Sequence, residues 1–405
     1  MRAPILVTLI LSCPLSGMSQ VAAPNVSTLK VDVRLVPVRV VVRDAKGRAV
    51  GNLSKDDFQL LDEGKAQVIT QFSIEHIAGG HATSGPAGDS GAAQPPATGR
   101  YTAYLFDDLH LEPIDLMVAR KSAERQFASL SPETERVAIF TTSGRKGVDF
   151  TADRAKLHEG LAHLEPQGRP KVSDCPNMNS YTADLIANQG DAAALQVATN
   201  DALACAFDGN VKLARAAQQM ASAVARERAA NGQTTTTESF RILKALIQAM
   251  SKAPGQRTIV MVSPGLVAAA DPQQVPLIDL AVRADVTVST LDPRGIAPAT
   301  DISGPAGGRF DRRDTALEAV SNLEEQAVLE ELAYGTGGVY FHNNNDVDEG
   351  FRRVADAPEY SYVLAFSPKD ANFDGRFHKL KVTLNSNSKL VIQARKRYYA
   401  PKQKP

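Results

Sequence analysis

The pattern of hydrophobic and polar positions changes character twice along the chain. From Lys30 to Glu75, apolar residues alternate with polar ones: Val31, Val33 and Leu35, then Val38, Val40 and Val42. Val50, Leu53, Phe58, Leu60, Leu61, Val68, Ile69, Phe72 and Ile74 continue the pattern. A period of two belongs to strands buried on one face, and turn residues at Asp44–Gly47 and Asp62–Lys65 punctuate it. Residues 30–78 are therefore predicted to form a small, mostly antiparallel β unit. Residues 79–99 (GGHATSGPAGDSGAAQPPATG) hold almost no large apolar group and bury too little surface to offset ordering, so they read as a flexible linker.

Beyond the linker, short apolar runs at Tyr101–Phe106, Arg136–Thr142, Arg257–Ser263, Asp285–Leu291 and Gly338–Phe341 alternate with stretches of helical period. Ile114, Val118, Ala119, Ala123 and Phe127 share one helix face, and 153–164, 275–283, 316–334 and 347–355 are also read as helices. This alternation predicts a mostly parallel sheet with helices on both faces across 100–356. An insertion at 168–233 interrupts it with a Pro/Cys/Asn-rich loop and Ala-rich helical sequence at 191–206 and 211–230. Strand patterning returns over 357–400, at Tyr360–Phe366, His378–Leu384 and Leu390–Arg395, with a turn at Asn372–Gly375. Neither terminal β segment has a second layer to cover its apolar face. Pairing the two into a β-sandwich-like domain flanking the α/β unit solves that problem.

Forty-five basic residues balance forty-five acidic ones, which removes any whole-chain electrostatic reason to expect a nucleic-acid partner. The short basic run Arg395–Lys404 reads as a solvated end. At the N-terminus one Arg, an apolar run from Ala3 to Leu11 and small residues form a secretory signal peptide over 1–19, cleaved after Ser19. The run is well short of the ~20 residues that span a bilayer, so no integral membrane span is expected. The mature chain is expected to be exported, to the periplasm or beyond the cell. Cys13 leaves with the signal, and in an oxidising compartment Cys175 and Cys205 then read as a disulfide.

The chain lacks a G-x-S-x-G elbow, a phosphate-binding G-x-x-x-x-G-K-[ST] loop and an H-E-x-x-H pair. His158 and His163 are five apart, off the spacing that puts two ligands on one helix face. Ser303–Gly308 is Gly-rich without a strand-to-helix setting, and Asn343–Asp346 reads as a strand end capping a helix. Asp107 and Asp108 remain, at the end of an apolar strand, where open α/β sheets bind ligands. Paired carboxylates there could hold Mg²⁺. In the plainer reading Asp107 accepts backbone hydrogen bonds and Asp108 faces solvent.

A strand closing on Asp107, an amphipathic helix, a Thr-rich stretch before a helix and a further apolar strand together resemble a von Willebrand factor type A (VWA) domain. More broadly, VVVRDAKGRAVGNLSKDDFQLLDEGK, the Cys175-to-Cys205 insertion, PGQRTIVMVSPG, TLDPRG, GRFHKLKVTL and RKRYYAP look like segments of VWA-related exported proteins of Acidobacteria. The resemblance implies a Rossmann-like fold used for interaction or adhesion. VWA domains with a metal-ion-dependent adhesion site carry Asp-x-Ser-x-Ser after the first strand, a Thr before a later helix and an Asp after the next strand. Here Asp107 matches, Leu109 and Leu111 stand at the serine positions, and Thr234–Thr237 supply candidates for the Thr. Ser263-Pro264-Gly265 stands where the last Asp falls. Leucine offers no oxygen, so the implied metal site, around Asp107 and Asp108 and suited to Mg²⁺ or Mn²⁺, is degenerate.

The leading expectation is an exported, non-enzymatic protein–protein interaction module, metal-independent and without a cofactor. Asp107, Asp108, His110, Ser263 and Asp292 are expected on its binding face. A second reading keeps the fold and has a divalent cation bridge Asp107 to a partner carboxylate. A third, of another class, is a hydrolase using Asp107, Asp108 and His110.

Overall fold

The alternating segment near the N-terminus folds as β1 (Val36–Arg43), β2 (Phe58–Asp62), β3 (Lys65–Gln67) and β4 (Ile69–His76). The computed structural model describes residues 35–44, 48–76, 99–145, 147–168, 175–267, 273–296, 312–355, 360–368, 374, 376–385 and 389–400. The predicted signal peptide, the linker up to residue 98 and the Gly-rich Ser303–Gly308 lie outside the described residues. Glu63 and Gly64, both at positive φ (46° and 78°), close the β2–β3 hairpin; a two-residue turn of this hand matches the strand twist.

The α/β unit runs β5 (Arg100–Phe106), α1 (Pro113–Ala128), β6 (Glu135–Thr141), β7 (Gly147–Thr151), α2 (Arg154–Ala162), α3 (Ser180–Ala187), α4 (Ala192–Ala206), α5 (Ala214–Met250), β8 (Gln256–Val262), α6 (Gln274–Arg283), β9 (Val286–Leu291), α7 (Arg312–Thr336), β10 (Tyr340–Phe341) and α8 (Val347–Ala355). Its sheet has the order β10-β9-β8-β5-β6-β7 and is parallel except for β7, an antiparallel edge. Both faces are buried, which is why the strands read as unbroken apolar runs. Tyr104 and Phe106 face Leu116, Phe127, Leu157 and Phe351 on one side. Ala103 and Leu105 face Leu243, Ile247, Leu277 and Leu329 on the other.

The chain closes with β11 (Tyr360–Phe366), β12 (Arg376–Leu384), β13 (Val391–Ala394) and β14 (Arg397–Ala400). Strands from the two ends mix in two four-stranded sheets, β13-β1-β11-β4 and β14-β12-β2-β3. Val38, Val40, Tyr362 and Phe366 of the first share a core with Phe58, Leu60, Leu380 and Tyr398 of the second.

The structure departs from expectation at several elements, among them α3, a helix where a Pro/Cys/Asn-rich loop is predicted. β7 is a short edge strand where the hydrophobic pattern predicts none. The basic tail is not a solvated end over its described part: Arg397–Ala400 pairs with β12, and Arg395 and Tyr398 are 6% and 4% exposed. The insertion does not end before a separate helix at residue 233. α5 runs unbroken from Ala214 to Met250, so the threonine run is helical. No described helix is long and apolar enough to cross a membrane.

Candidate functional site

Because β5, β6, β8 and β9 are parallel and in register, the residues that follow them meet in one crevice. Asp107 extends the ladder, its N–H donating to the Val262 carbonyl at 2.9 Å. The chain then folds back: the N–H groups of His110 and Leu111 donate to the Asp107 carbonyl at 3.1 and 2.8 Å. This turn puts His110 Nδ1 2.8 and 2.9 Å from the two Asp107 carboxylate oxygens. Thr142, just past β6, donates to Oδ1 at 2.8 Å, and Ser263, just past β8, donates to Oδ2 at 2.7 Å. Ser239 on α5 adds a longer contact to Oδ1 at 3.4 Å.

A fully buried carboxylate is tolerated only with such partners. Burial pushes the Asp107 carboxyl up, but the His110 charge and hydrogen bond, with those from Ser263 and Thr142, outweigh it and hold the group below its ordinary value. Burial likewise pulls His110 down, and the Asp107 charge and hydrogen bond, with Glu325 and Asp108 nearby, hold it above its ordinary value. Each group thereby favours the charged form of the other.

Asp108 does not face solvent, and Asp107 is held by side chains where backbone donors were the plainer expectation. Asp108 is 2% exposed. Its Oδ1 accepts from the Ser143 N–H at 2.8 Å and lies 3.0 Å from the Thr142 hydroxyl, while Oδ2 accepts from the Ser143 hydroxyl at 2.6 Å. Thr142 has one hydroxyl proton, so it is shared between the two aspartates. Asp292, past β9, is 1% exposed and grips Arg294 in a two-pronged pair, Nε to Oδ1 at 3.0 Å and the terminal nitrogen to Oδ2 at 2.7 Å. Gln326 also donates to it, at 3.2 Å. Burial raises the Glu325 carboxyl against the pull of Arg294 and His110.

The five residues expected to present a binding face are thus turned inward. Asp107, Asp108, Ser263 and Asp292 are at most 2% exposed, and the His110 side chain is 15% exposed. Their polar atoms are met by protein donors, because buried acceptors need them: His110 and Ser263 bond Asp107, Ser143 bonds Asp108, and Arg294 bonds Asp292.

The chain leading into the insertion, and the first helix of the insertion, lie against this crevice. The Gln167 N–H donates to the Asp108 carbonyl at 2.6 Å, Arg145 bonds the Gln167 side chain at 2.7 Å, and the Tyr181 backbone bonds Glu325. Cys175 and Cys205 are joined, with Cα atoms 5.8 Å apart, tying the start of the insertion to α4.

The donor set does not fit a divalent cation. Both Asp107 oxygens are taken by protein donors, one of them cationic, and Leu109 and Leu111 add no oxygen. Among the described residues no three His, Cys, Asp or Glu side chains are grouped to hold a metal ion. Of the threonines considered as ligands, Thr234 and Thr235 bond their own helix, at the Ala230 and Asn231 carbonyls (2.8 and 3.1 Å), and the hydroxyl of buried Thr236 has no hydrogen-bond partner among the described residues. Sequence reasoning missed the roles of Thr142, Ser143, Ser239 and Arg294. The signal for the first two was legible: hydroxyl residues ending the strand beside the one that ends in Asp107.

No family model matches the chain, and no curated protein matches it. Among solved structures, the chain is similar to an aerotolerance-related membrane protein from Bacteroides fragilis NCTC 9343 with multiple mutations to serines. The identity is 12% and the TM-score 0.33, covering 64% of this chain and 98% of that one. It is also similar to the conserved hypothetical protein BatB from Bacteroides thetaiotaomicron (15%, TM-score 0.30, 62% and 95%). A third similarity is to the N-terminal domains of the type V pili tip protein Mfa5 from Porphyromonas gingivalis (12%, TM-score 0.19, 54% and 32%). At these values the likeness adds nothing to the geometry.

Proposed function

We propose that the chain is an exported, non-enzymatic protein–protein interaction module of VWA-like design whose crevice works without a metal. The observation that carries this reading is the His110 ring seated on both oxygens of Asp107. A protonated imidazole supplies there the positive charge that a cation would bring, and Ser263 and Thr142 complete the shell. A metal would have to displace His110 and strand those hydroxyls.

The same geometry disfavours a hydrolase. A nucleophilic serine gives its proton to the histidine, whereas Ser263 and Ser239 are directed at Asp107 itself. The remaining His110 nitrogen, Nε2, is buried without a hydrogen-bond partner among the described residues. Two large apolar side chains at this end of the sheet support a partner-binding rim: Ile114 at the start of α1 and Ile296 past β9, 63% and 59% exposed.

Calorimetric titration of chelator-stripped protein with Mg²⁺, Mn²⁺ and Ca²⁺ tests the reading, with Asp107→Asn as control. No saturable heat at millimolar metal is expected from either protein. Saturable binding by the wild type that disappears in Asp107→Asn would establish the cation-bridge mechanism instead. Turnover of an ester, phosphate or peptide substrate that vanishes in His110→Ala would establish a hydrolase.

A further inference from the structure

At the end of the parallel sheet remote from Asp107, where β8 and β9 begin, the β1 sheet of the sandwich leans against the α/β unit. A cleft of about 50 Å³ opens there. Arg39 and Gln393 line it from the sandwich, and Arg257, Thr258, Asp285 and Arg353 from the α/β unit. Among the described residues, three arginines and one aspartate line it. We propose that this cleft binds a small tetrahedral oxyanion of the size of inorganic phosphate.

Asp285 is already committed. It accepts from Arg39 at 2.7 Å through one oxygen and from Arg257 at 3.1 Å through the other. Asp285 thereby holds two guanidinium groups side by side, and Arg39 also donates to the Ser361 hydroxyl at 3.0 Å. Arg257 has Nε buried with no hydrogen-bond partner among the described residues, an N–H that lacks its acceptor. Arg353 forms no ion pair with a described carboxylate, and the hydroxyls of Thr258 and Thr287 line the same space. Guanidinium forks match the oxygens of phosphate and sulfate in spacing and charge. A tetrahedral acceptor can meet donors arriving from both walls, which a planar carboxylate cannot do as well.

Size narrows the ligand further. A water needs roughly 10–15 Å³ of such space, so the cleft holds a few waters' worth of volume. Pockets for larger ligands run to about 300 Å³ and above. The cleft itself matches a free oxyanion in size better than a whole nucleotide or peptide. The binding residues come from both halves of the molecule, so occupancy ties the sandwich to the α/β unit.

The test is titration of the full chain with inorganic phosphate and with sulfate, followed by calorimetry and thermal melting against chloride at matched ionic strength. Saturable phosphate binding with a rise in melting temperature is expected, and sulfate should compete for the site. Arg353→Gln replaces an exposed helical side chain and should keep the phosphate-free melting temperature. Its phosphate affinity should fall about tenfold, the worth of one charge-assisted hydrogen bond, and Arg257→Gln should do likewise. Absence of saturable binding overturns the proposal. So does equal stabilisation of wild type and Arg353→Gln, since general exclusion of these salts from protein surfaces would then explain it. Asp107→Asn, at the far end of the sheet, should leave the titration unchanged, which separates this site from the crevice reading.

Discussion

Asp107 and His110 each set the protonation of the other, and this makes the crevice pH-dependent. The folded His110 value lies above 6.5, so its contribution to stability is complete below 6.5 and is lost as pH climbs through the folded value. The folded Asp107 value lies below 3.8, so its contribution is complete above 3.8 and is lost as pH falls through the folded value. Between the two the pair contributes fully. His110→Gln should cost about 3 kcal/mol in urea unfolding within that window, the scale for breaking a buried ion pair. The cost should shrink as pH rises above 6.5, and a cost that does not change with pH would show that His110 is neutral in the folded protein. The position of Asp107 was legible because an apolar run ended on it. The partnership with His110 was not, because an i, i+3 contact between charges becomes visible only once the turn after β5 is known. Ser263 shows the same limit: it was read as a missing aspartate, and the structure makes it a donor to Asp107.

At the scale of elements, α5 shows where local propensity misleads. The resemblance to VWA domains places four consecutive threonines ahead of a helix, and β-branched residues are poor helix formers. In the structure two of their hydroxyls bond carbonyls one turn back, and Thr236 is buried, so tertiary packing overrides propensity. Ahead of them Ala217, Ala221, Ala225, Ala229 and Gly232 make a small-residue stripe, and several of these alanines pack with α3 and α4. Gly232 is the tightest point, since a Cβ there would sit 2.9 Å from the Ser180 Cβ. Gly→Ala inside a helix ordinarily gains about 1 kcal/mol. Gly232→Ala should instead destabilise, because the added methyl has to push α3 away. A measured gain in urea midpoint would mean that α3 is free to shift. The Cys175–Cys205 bond holds the same assembly. Replacing both with serine should lower unfolding free energy by roughly 3 kcal/mol in the disulfide-constraint scale, whereas reductant should have little effect on the double variant. Strong apolar runs and helices with a clear buried stripe were readable from sequence within a few residues. The edge strands β7 and β14 were not, since short strands at a sheet edge carry little periodic signal.

For the whole molecule, the informative contact is backbone to backbone. β4 and β11 are antiparallel neighbours, and His76 is paired directly with Tyr360. The chain therefore leaves the sandwich and returns to it at facing positions, roughly 5 Å apart as in any such pair. The entire α/β unit occupies the place of a hairpin turn. The sandwich core is drawn from its own strands, with Val38, Leu60, Tyr362 and Tyr398 among its members. Its ties to the α/β unit are mostly polar: Arg39 to Asp285 at 2.7 Å, Arg397 to Glu331 at 3.7 Å, and Lys396 over the Tyr334 ring at 3.7 Å. Exposed pairs of this kind contribute at most about 1 kcal/mol each. Arg395 is the exception, buried enough that its guanidinium is pulled down to about 10, and excision would return that charge to water. Replacing residues 77–359 with an Asn-Gly turn should thus leave a sandwich that folds alone, with a dispersed amide spectrum and a cooperative melt. A collapsed spectrum would mean that the junction around Arg395 and the end of α7 supplies stability the core lacks. The expectation that the two ends of the chain pair came from an unmet need for a second layer. Their hairpin relationship could not be read that way, because register is set by side chains that meet only in the folded state.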